Sequence, residues 1–177
     1  MAVSSFLSAV LSLASFVKSE SFTQLYFWLV GGLSGRGWEQ LTLVAPYAFV
    51  AIVGLLWITP RLNVLQLGDE TAHGLGIDVA RDQRVAIGLA ALLTAAIVSV
   101  CGMIGFVGLV VPHLARMLVG PDLRRLLPVA ALLGAVLLVT ADMGARLLWA
   151  PVEVPVGVFT AMLGAPFFLF LLMRQKA

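Results

Sequence analysis

The sequence predicts an all-α fold, a polytopic membrane helix bundle of about six transmembrane segments forming one domain over residues 1–177. Three observations lead to this prediction. First, 61% of the residues are hydrophobic and 11% are charged, whereas the surface of a soluble domain is about a quarter charged or more. Second, long runs contain no charged residue, and third, the basic residues collect in alternate loops. This composition argues against a soluble enzyme, and the net charge of +2 is too small to indicate nucleic-acid binding.

The uncharged runs define the segments in chain order, because a bilayer core needs about 20 apolar residues per helix. The predicted spans are 1–17, 41–60, 85–101, 104–118, 126–148 and 154–173. The fifth of these extends the uncharged run 126–141 to about residue 148, so that Asp142 and Arg146 lie near its end. The run from 85 to 115 is too long for one span and short for two ordinary ones. Its glycine series, Gly102, Gly105 and Gly108 before Pro112, therefore predicts a break near Gly102.

The basic residues set the predicted orientation, because Lys and Arg beside membrane spans are retained on the cytoplasmic side. Alternating segments place eight of them on one side and three on the other. The larger set is Arg61, Arg81, Arg84, Arg116, Arg124, Arg125, Arg174 and Lys176, and the smaller set is Lys18, Arg36 and Arg146. The loops 61–84 and 116–125 and the C-terminus are therefore expected in the cytoplasm.

The loop 61–84 is the most polar part of the chain and is too long for a tight turn. Its sequence predicts two short amphipathic helices with a glycine bend between them. Leu65, Leu67 and Leu75 are among the residues that give it apolar surface for docking. The pattern leaves two interpretations open, a solvated connector lying on its own membrane domain or a platform for a cytoplasmic partner.

Serines form one face of the first predicted segment. Ser4, Ser8, Ser12 and Ser15 recur at helical spacing. Such a face suits either close helix packing or the wall of a polar cavity, and the spacing by itself favours packing.

The spacing predicts an ion pair near the outer end of the fifth segment. Asp142 and Arg146 are one helical turn apart, so they can pair along one face. The pair is either part of the helix packing or an exposed anchor for an external partner.

The residues that usually carry chemistry form no recognisable site. His73, His113 and Cys101 lack the spacing of metal ligands, and no cofactor is predicted. No Gly-Lys-Ser/Thr sequence ends a phosphate-binding loop. Residues 32–35 match the short GxSG pattern of intramembrane serine proteases, but the serine lies in an outer stretch and His113 lies toward the cytoplasmic half of its helix. The sequence therefore favours a chain without catalytic residues.

Several long motifs occur in a recognisable order. They are residues 66–77 (QLGDETAHGLGI), 102–116 (GMIGFVGLVVPHLAR), 120–128, 141–146 (ADMGAR) and 153–168. Together they resemble the FecCD/BtuC-type permeases, the membrane subunits of ABC importers for iron–siderophores, haem and vitamin B12. The resemblance runs along nearly the whole chain.

The resemblance implies that residues 62–84 are a cytoplasmic coupling loop, which sits in a cleft of an ABC ATPase subunit. Gly68 and Gly76 would permit its bends. The implied coupling site consists of Leu65, Leu67, Gly68, Glu70, Ala72, Leu75 and Gly76, with the leucines and the alanine supplying apolar contacts.

The resemblance also implies an outer docking site and a translocation path. Arg146 would pair with a carboxylate of a periplasmic or lipid-anchored substrate-binding protein, where a charge-assisted bond fixes orientation. The first and last segments would line a path between two permease subunits within the membrane lipid. The implied path residues are Ser4, Ser8, Ser12, Thr160 and Gly164, so the resemblance favours a cavity-facing role for the serines.

The implied function is transport of a metal chelate, above all a ferric siderophore, across the bacterial cytoplasmic (inner) membrane, with ATP hydrolysed by a partner chain. Family members are about twice this length and have ten helices, and this chain matches their C-terminal half, with Met1 inside the fifth helix. A truncated, non-transporting membrane scaffold or remnant is the alternative. The chain itself is not expected to be an enzyme.

Overall fold

The computed structural model describes residues 5–6, 26–148 and 154–175, and the regular elements within these ranges are helical. Ser5 and Phe6 are helical, and residues 26–30 form a short helical segment. The remaining helices are α1 (Trp38–Leu65), α2 (Asp69–Gly74), α3 (Val79–Cys101), α4 (Val107–Val119), α5 (Leu123–Leu148) and α6 (Val156–Gln175). The predicted all-α fold is thus confirmed.

Three of these helices, α1, α3 and α5, are long and apolar enough to cross a membrane. The apolar helix α4 and the apolar part of α6 (Val156–Leu169) are shorter. These five helices overlap the predicted spans 41–60, 85–101, 104–118, 126–148 and 154–173, with different ends, and the chain is a multi-pass membrane protein. The predicted first span, 1–17, lies outside the described residues apart from Ser5 and Phe6.

The loop 61–84 contains one short helix instead of the two that were predicted. α1 continues to Leu65 and α3 already begins at Val79, so that α2 is the short helix between them. At 1.5 Å per residue the 28 residues of α1 extend over about 42 Å, more than the roughly 30 Å of a bilayer core. The prediction was wrong because uncharged runs mark only the lipid-facing part of a helix, whose internal hydrogen bonds allow it to continue into water.

The predicted break near Gly102 is confirmed. Gly102 follows the last residue of α3 with φ +71°, and its N–H donates to the carbonyl of Val98. The chain stays non-helical until Phe106, which has the left-handed φ of +64° and precedes α4. α4 therefore begins at Val107, later than the predicted residue 104.

The helices pack in two groups. The first, termed the hairpin group, is α1 to α3, in which α1 and α3 form the most extensive helix contact. The second, termed the C-terminal group, is α4 to α6, and the packing of α1 against α5 joins the two groups. Small residues permit close approach: a Cβ added at Gly54 would lie 2.9 Å from Leu89 Cδ1.

The connections between successive helices alternate between the two ends of the bundle. The basic end contains α2 and residues 120–122, together with the arginines Arg61, Arg81, Arg84, Arg116, Arg124 and Arg125. The opposite end contains residues 31–36, 102–106 and 154–155, and there Arg36 precedes α1 and Arg146 lies in the last turn of α5. The alternation on which the predicted orientation depends is therefore present in the fold.

Candidate functional site

The loop between α1 and α3 presents its apolar side chains on both sides of α2. Gly68 has φ +106° and Gly76 has φ +77°, conformations that glycine adopts without the steric cost of a Cβ. Between these bends Ala72 is completely buried. Leu67 and Leu75, in contrast, are 68% and 65% exposed. Glu70 is also exposed, and Leu65 at the end of α1 is half-buried.

The structure therefore divides the predicted coupling residues by their surroundings. Ala72 holds α2 against its own bundle, and the two glycines turn the chain before and after the helix. Leu67 and Leu75 are large apolar side chains on the surface of a polar loop. Burial of either side chain against another surface would be favourable by about 1.5 kcal/mol or more.

Asn63 connects this loop to the other connection at the basic end. Its Nδ2 donates to Asp122 Oδ1 at 2.6 Å, and its Oδ1 accepts from the N–H of Leu123 at 2.9 Å. Gln66 adds a longer bond, from Nε2 to the carbonyl of Pro121 at 3.4 Å. The end of α1 is thus tied to the start of α5.

Asp122 is the N-cap residue of α5. Its Oδ1 accepts from the N–H of Arg124 at 3.0 Å, and its carbonyl accepts from the N–H of Leu126 at 2.8 Å. The bonds from the Arg124 N–H and from the Asn63 amide favour the ionised carboxylate, so they hold the pKa of Asp122 below its ordinary value.

An ion pair joins α1 and α3 next to the coupling loop. Arg61 Nη1 lies 3.5 Å from Asp82 Oδ1, and the Asp82 side chain is only 4% exposed. The Arg61 guanidinium also lies 5.8 Å from the centre of the Trp57 ring, within reach of a cation–π contact. This pair links the two helices that flank α2.

The pair predicted from the spacing of Asp142 and Arg146 is present at the opposite end. Arg146 Nε donates to Asp142 Oδ2 at 2.8 Å, and about half of the arginine side chain remains exposed. Asp142 engages Nε, so the carboxylate orients the guanidinium while much of it stays accessible to solvent.

Three segments meet at the opposite end through backbone contacts, at what is termed the glycine junction: Gly31, Gly32, Gly102 and Gly157. The N–H of Gly32 donates to the Cys101 carbonyl at 2.8 Å, and the N–H of Gly157 donates to the Gly31 carbonyl at 3.1 Å. A Cβ on Gly102 would overlap the Trp28 carbonyl oxygen, and one on Gly157 would overlap that of Val30. Glycine is needed because backbone occupies the space of a side chain.

Thr160 and Gly164, two predicted path residues, lie on one side of a cavity of about 200 Å³ between α4, α5 and α6. Thr160 is buried, and its hydroxyl donates to the Gly157 carbonyl at 3.1 Å. At Gly164 the Phe106 side chain occupies the place of a Cβ. The remaining lining is apolar and includes Leu114, Leu137 and Phe167.

The other predicted path residues, Ser4, Ser8 and Ser12, lie outside the described residues. Over the described ranges, no group of three or more His, Cys, Asp and Glu residues is placed to hold a metal ion.

Several residues of these sites were not identified from the sequence. These are Asn63, Gly31, Gly157 and Phe106, which act through partners far away in the chain. Phe106 and Gly157 lie within the long motifs, but the motifs do not indicate which residues they contact. Asp122 could have been found, because Asp directly before a helix is an N-cap signal.

Comparison with known proteins identifies relatives of this chain. The model of the FecCD transport family matches residues 1–174. The cobalamin import system permease protein BtuC of Halobacterium salinarum is 45% identical over 176 residues, covering 99% of this chain and 47% of that protein. The hemin transport system permease protein HmuU of Yersinia pestis is 44% identical over 178 residues, covering 99% and 53%.

A third relative, the Fe(3+) dicitrate transport system permease protein FecD of Escherichia coli, is 42% identical over 159 residues, 90% of this chain and 50% of that protein. A solved structure, described as an inward-facing conformation of a metal-chelate type ABC transporter, superimposes with a TM-score of 0.84 at 36% identity. It covers 98% of this chain and 58% of that one. The chain spans about half the length of the curated relatives it matches.

Proposed function

The chain belongs to the FecCD transport family, and on this premise we propose that it is part of the membrane-spanning subunit of an ABC importer. The importer moves a metal chelate, of the ferric-siderophore class, inward across the bacterial inner membrane. ATP is hydrolysed by a separate subunit, and the chain carries out no covalent chemistry. The observation that carries the proposal is the match to permeases along nearly the whole chain, with two exposed leucines on the polar loop at its basic end.

The ATPase subunit contacts α2 and the residues beside it. Leu67 and Leu75 are the main apolar contacts, and Gly68 and Gly76 shape the loop that presents them. The arginines at the basic end support a cytoplasmic location of this loop, because Lys and Arg residues beside membrane spans are retained in the cytoplasm.

A substrate-binding protein docks at the opposite end through Arg146. Its guanidinium is held by Asp142 and remains half-exposed, so that a carboxylate of the partner can form a second charge-assisted bond. Such a bond near the rim of an interface mainly orients the partner and accelerates association, and it weakens as salt is raised.

The translocation path includes Thr160 and Gly164 of α6 and the serines Ser4, Ser8 and Ser12, and a second permease subunit completes it. The cavity beside Thr160 is mostly apolar. A lining with so few hydrogen-bonding groups supports selection of the chelate by the binding protein rather than by the path.

The proposal is tested by co-purification of the chain with its ATPase subunit. We expect the double variant L67A/L75A to lose at least about tenfold in ATPase association, because two exposed apolar contacts are removed. Leu118→Ala is the control. Leu118 is an equally exposed leucine in the last turn of α4, at the basic end of the bundle. Unchanged association of L67A/L75A would refute the coupling role, and no association of the unmodified chain would favour a non-transporting scaffold.

The docking role of Arg146 has a separate test. Arg146→Glu places a carboxylate where the binding protein is expected to offer its own, so association should slow markedly at low salt and differ less at high salt. Arg36→Glu is the control, because Arg36 is an exposed arginine at the same end. Equal association rates for Arg146→Glu and the unmodified protein would remove Arg146 from the docking site.

A further inference from the structure

The hairpin group and the C-terminal group are joined at the basic end by few polar contacts. Among the described residues, the side-chain hydrogen bonds between them at this end come from Asn63 and Gln66. The Gln66 bond, at 3.4 Å, is near the limit of hydrogen-bond length. Asn63, with bonds of 2.6 and 2.9 Å, is therefore the principal polar link.

Asn63 lies at the junction between the coupling loop and the helix bundle. It is in the last turn of α1, and the N–H groups of Leu67 and Gly68 bond to the carbonyls of Val64 and Leu65. α2 follows directly and is held by the buried Ala72. Because only residues 66–68 separate α1 from α2, a displacement of α2 pulls directly on the end of α1.

On the other side of the link is the start of α5. Asn63 bonds both to the side chain of Asp122, the N-cap residue, and to the N–H of Leu123, the first residue of the helix. The 26 residues of α5 extend over about 39 Å and end beside Asp142 and Arg146. α5 contains Pro128 near its start but continues as one helix to Leu148, so we expect a shift at Asp122 to be transmitted along the axis toward the opposite end.

We infer that Asn63 is a positioning residue that transmits movement of the coupling loop into α5, and through α5 to the Asp142–Arg146 pair. The inference rests on the proposed ATPase contact at α2. In this arrangement the Asn63 link and α5 connect the two partner-binding ends, in addition to the packing of α1 against α5 and the longer Gln66 bond. Asn63 suits this position because its amide donates and accepts at the same time, and both bonds can break and re-form without leaving a buried charge.

The test exchanges the two side chains of the link in the chain bound to its ATPase subunit. N63D sets two carboxylates against each other, D122N keeps an acceptor for Asn63, and the double variant N63D/D122N restores the pair with donor and acceptor reversed. The measurement is hydrogen–deuterium exchange of the amides of residues 142–148, with and without ATP and vanadate.

In the unmodified complex we expect ATP with vanadate to change exchange at 142–148 by about fivefold or more. N63D should keep the ATPase bound but lose this response, whereas D122N and the double variant should retain it. A merely structural role of Asn63 would alter exchange in both nucleotide states without removing the response. An unchanged response in N63D would overturn the inference while leaving the proposed function intact. Failure of the unmodified chain to bind the ATPase would overturn both.

Discussion

The two ends of the bundle are held together in different ways. At the basic end, the contacts between segments are made by side chains: Asn63 with Asp122, and Arg61 with Asp82. At the opposite end, the contacts of the glycine junction run from backbone to backbone, and at Gly102 and Gly157 there is no room for a Cβ. One end is therefore joined by bonds that can be exchanged, and the other by close contact of main chains.

The difference indicates where the molecule can move. Polar side-chain bonds contribute about 1 kcal/mol each and are readily replaced by bonds to water. Backbone segments in van der Waals contact can separate only if a gap opens, which forfeits the packing energy of all their atoms. We therefore expect the glycine junction to act as a fixed point and the basic end to be the adjustable one, which is what the proposed import driven from the ATPase side would require.

The largest expected effect comes from a substitution in the glycine junction. Gly102→Ala combines a clash with the Trp28 carbonyl oxygen and a left-handed φ, so it should destabilise the fold by about 3 kcal/mol. The measurement is thermal unfolding of the purified protein in detergent. Gly88→Ala is the control, because Gly88 is in α3 and a Cβ there meets open space. A Gly102→Ala variant as stable as Gly88→Ala would show that the junction is not rigid.

A smaller effect is expected where a glycine contacts a side chain instead of backbone. Gly164→Ala meets the Cβ and Cγ of Phe106, which cannot rotate away, and should cost about 2 kcal/mol. Gly144→Ala meets the far edge of the Phe159 ring, with 2.9 Å to Cζ, and should cost less because a ring can tilt. Thermal unfolding of both variants checks this order, and the reverse order would contradict the packing described for α6.

The smallest effect concerns the charge at the basic end. The pKa of Asp122 is lowered in the folded protein, so its contribution to stability is present above the unfolded value of about 3.9 and is lost as pH falls through the folded value. The unfolding temperature of the unmodified protein should therefore slightly exceed that of D122N at pH 6, and the gap should narrow as pH falls below about 4. A gap that stays constant over this range would mean that the ionised carboxylate contributes nothing to the link.

Much of the fold could be predicted because it depends on local composition. The spans corresponding to α1, α3 and α5 were recognisable from uncharged runs, and the break at Gly102 from its glycine series. The extent of α1 and α3 at the basic end was not predicted, because both helices continue beyond the apolar runs that were counted. The number of short helices in the loop 61–84 was wrong for the same reason.

The candidate sites were predicted unevenly. The Asp142–Arg146 pair follows from helical spacing alone and is present at 2.8 Å. The long motifs indicated the loop around α2, but its division into a buried Ala72 and exposed leucines required the packing of neighbouring helices. The roles of Leu67, Leu75, Arg146, Thr160 and Gly164 remain predictions until the partner proteins are tested.

The sequence by itself determined the helical membrane class, the alternation of basic and less basic ends, and the break before α4. Each depends on hydropathy, charge or glycine content within a short stretch, and a short stretch carries that information whatever surrounds it. Only the tertiary structure decided that Asn63 meets Asp122, 59 residues away, that Gly31 meets Gly157, and that Phe106 fills the space beside Gly164. Such pairs arise from how whole helices pack, which no local pattern encodes.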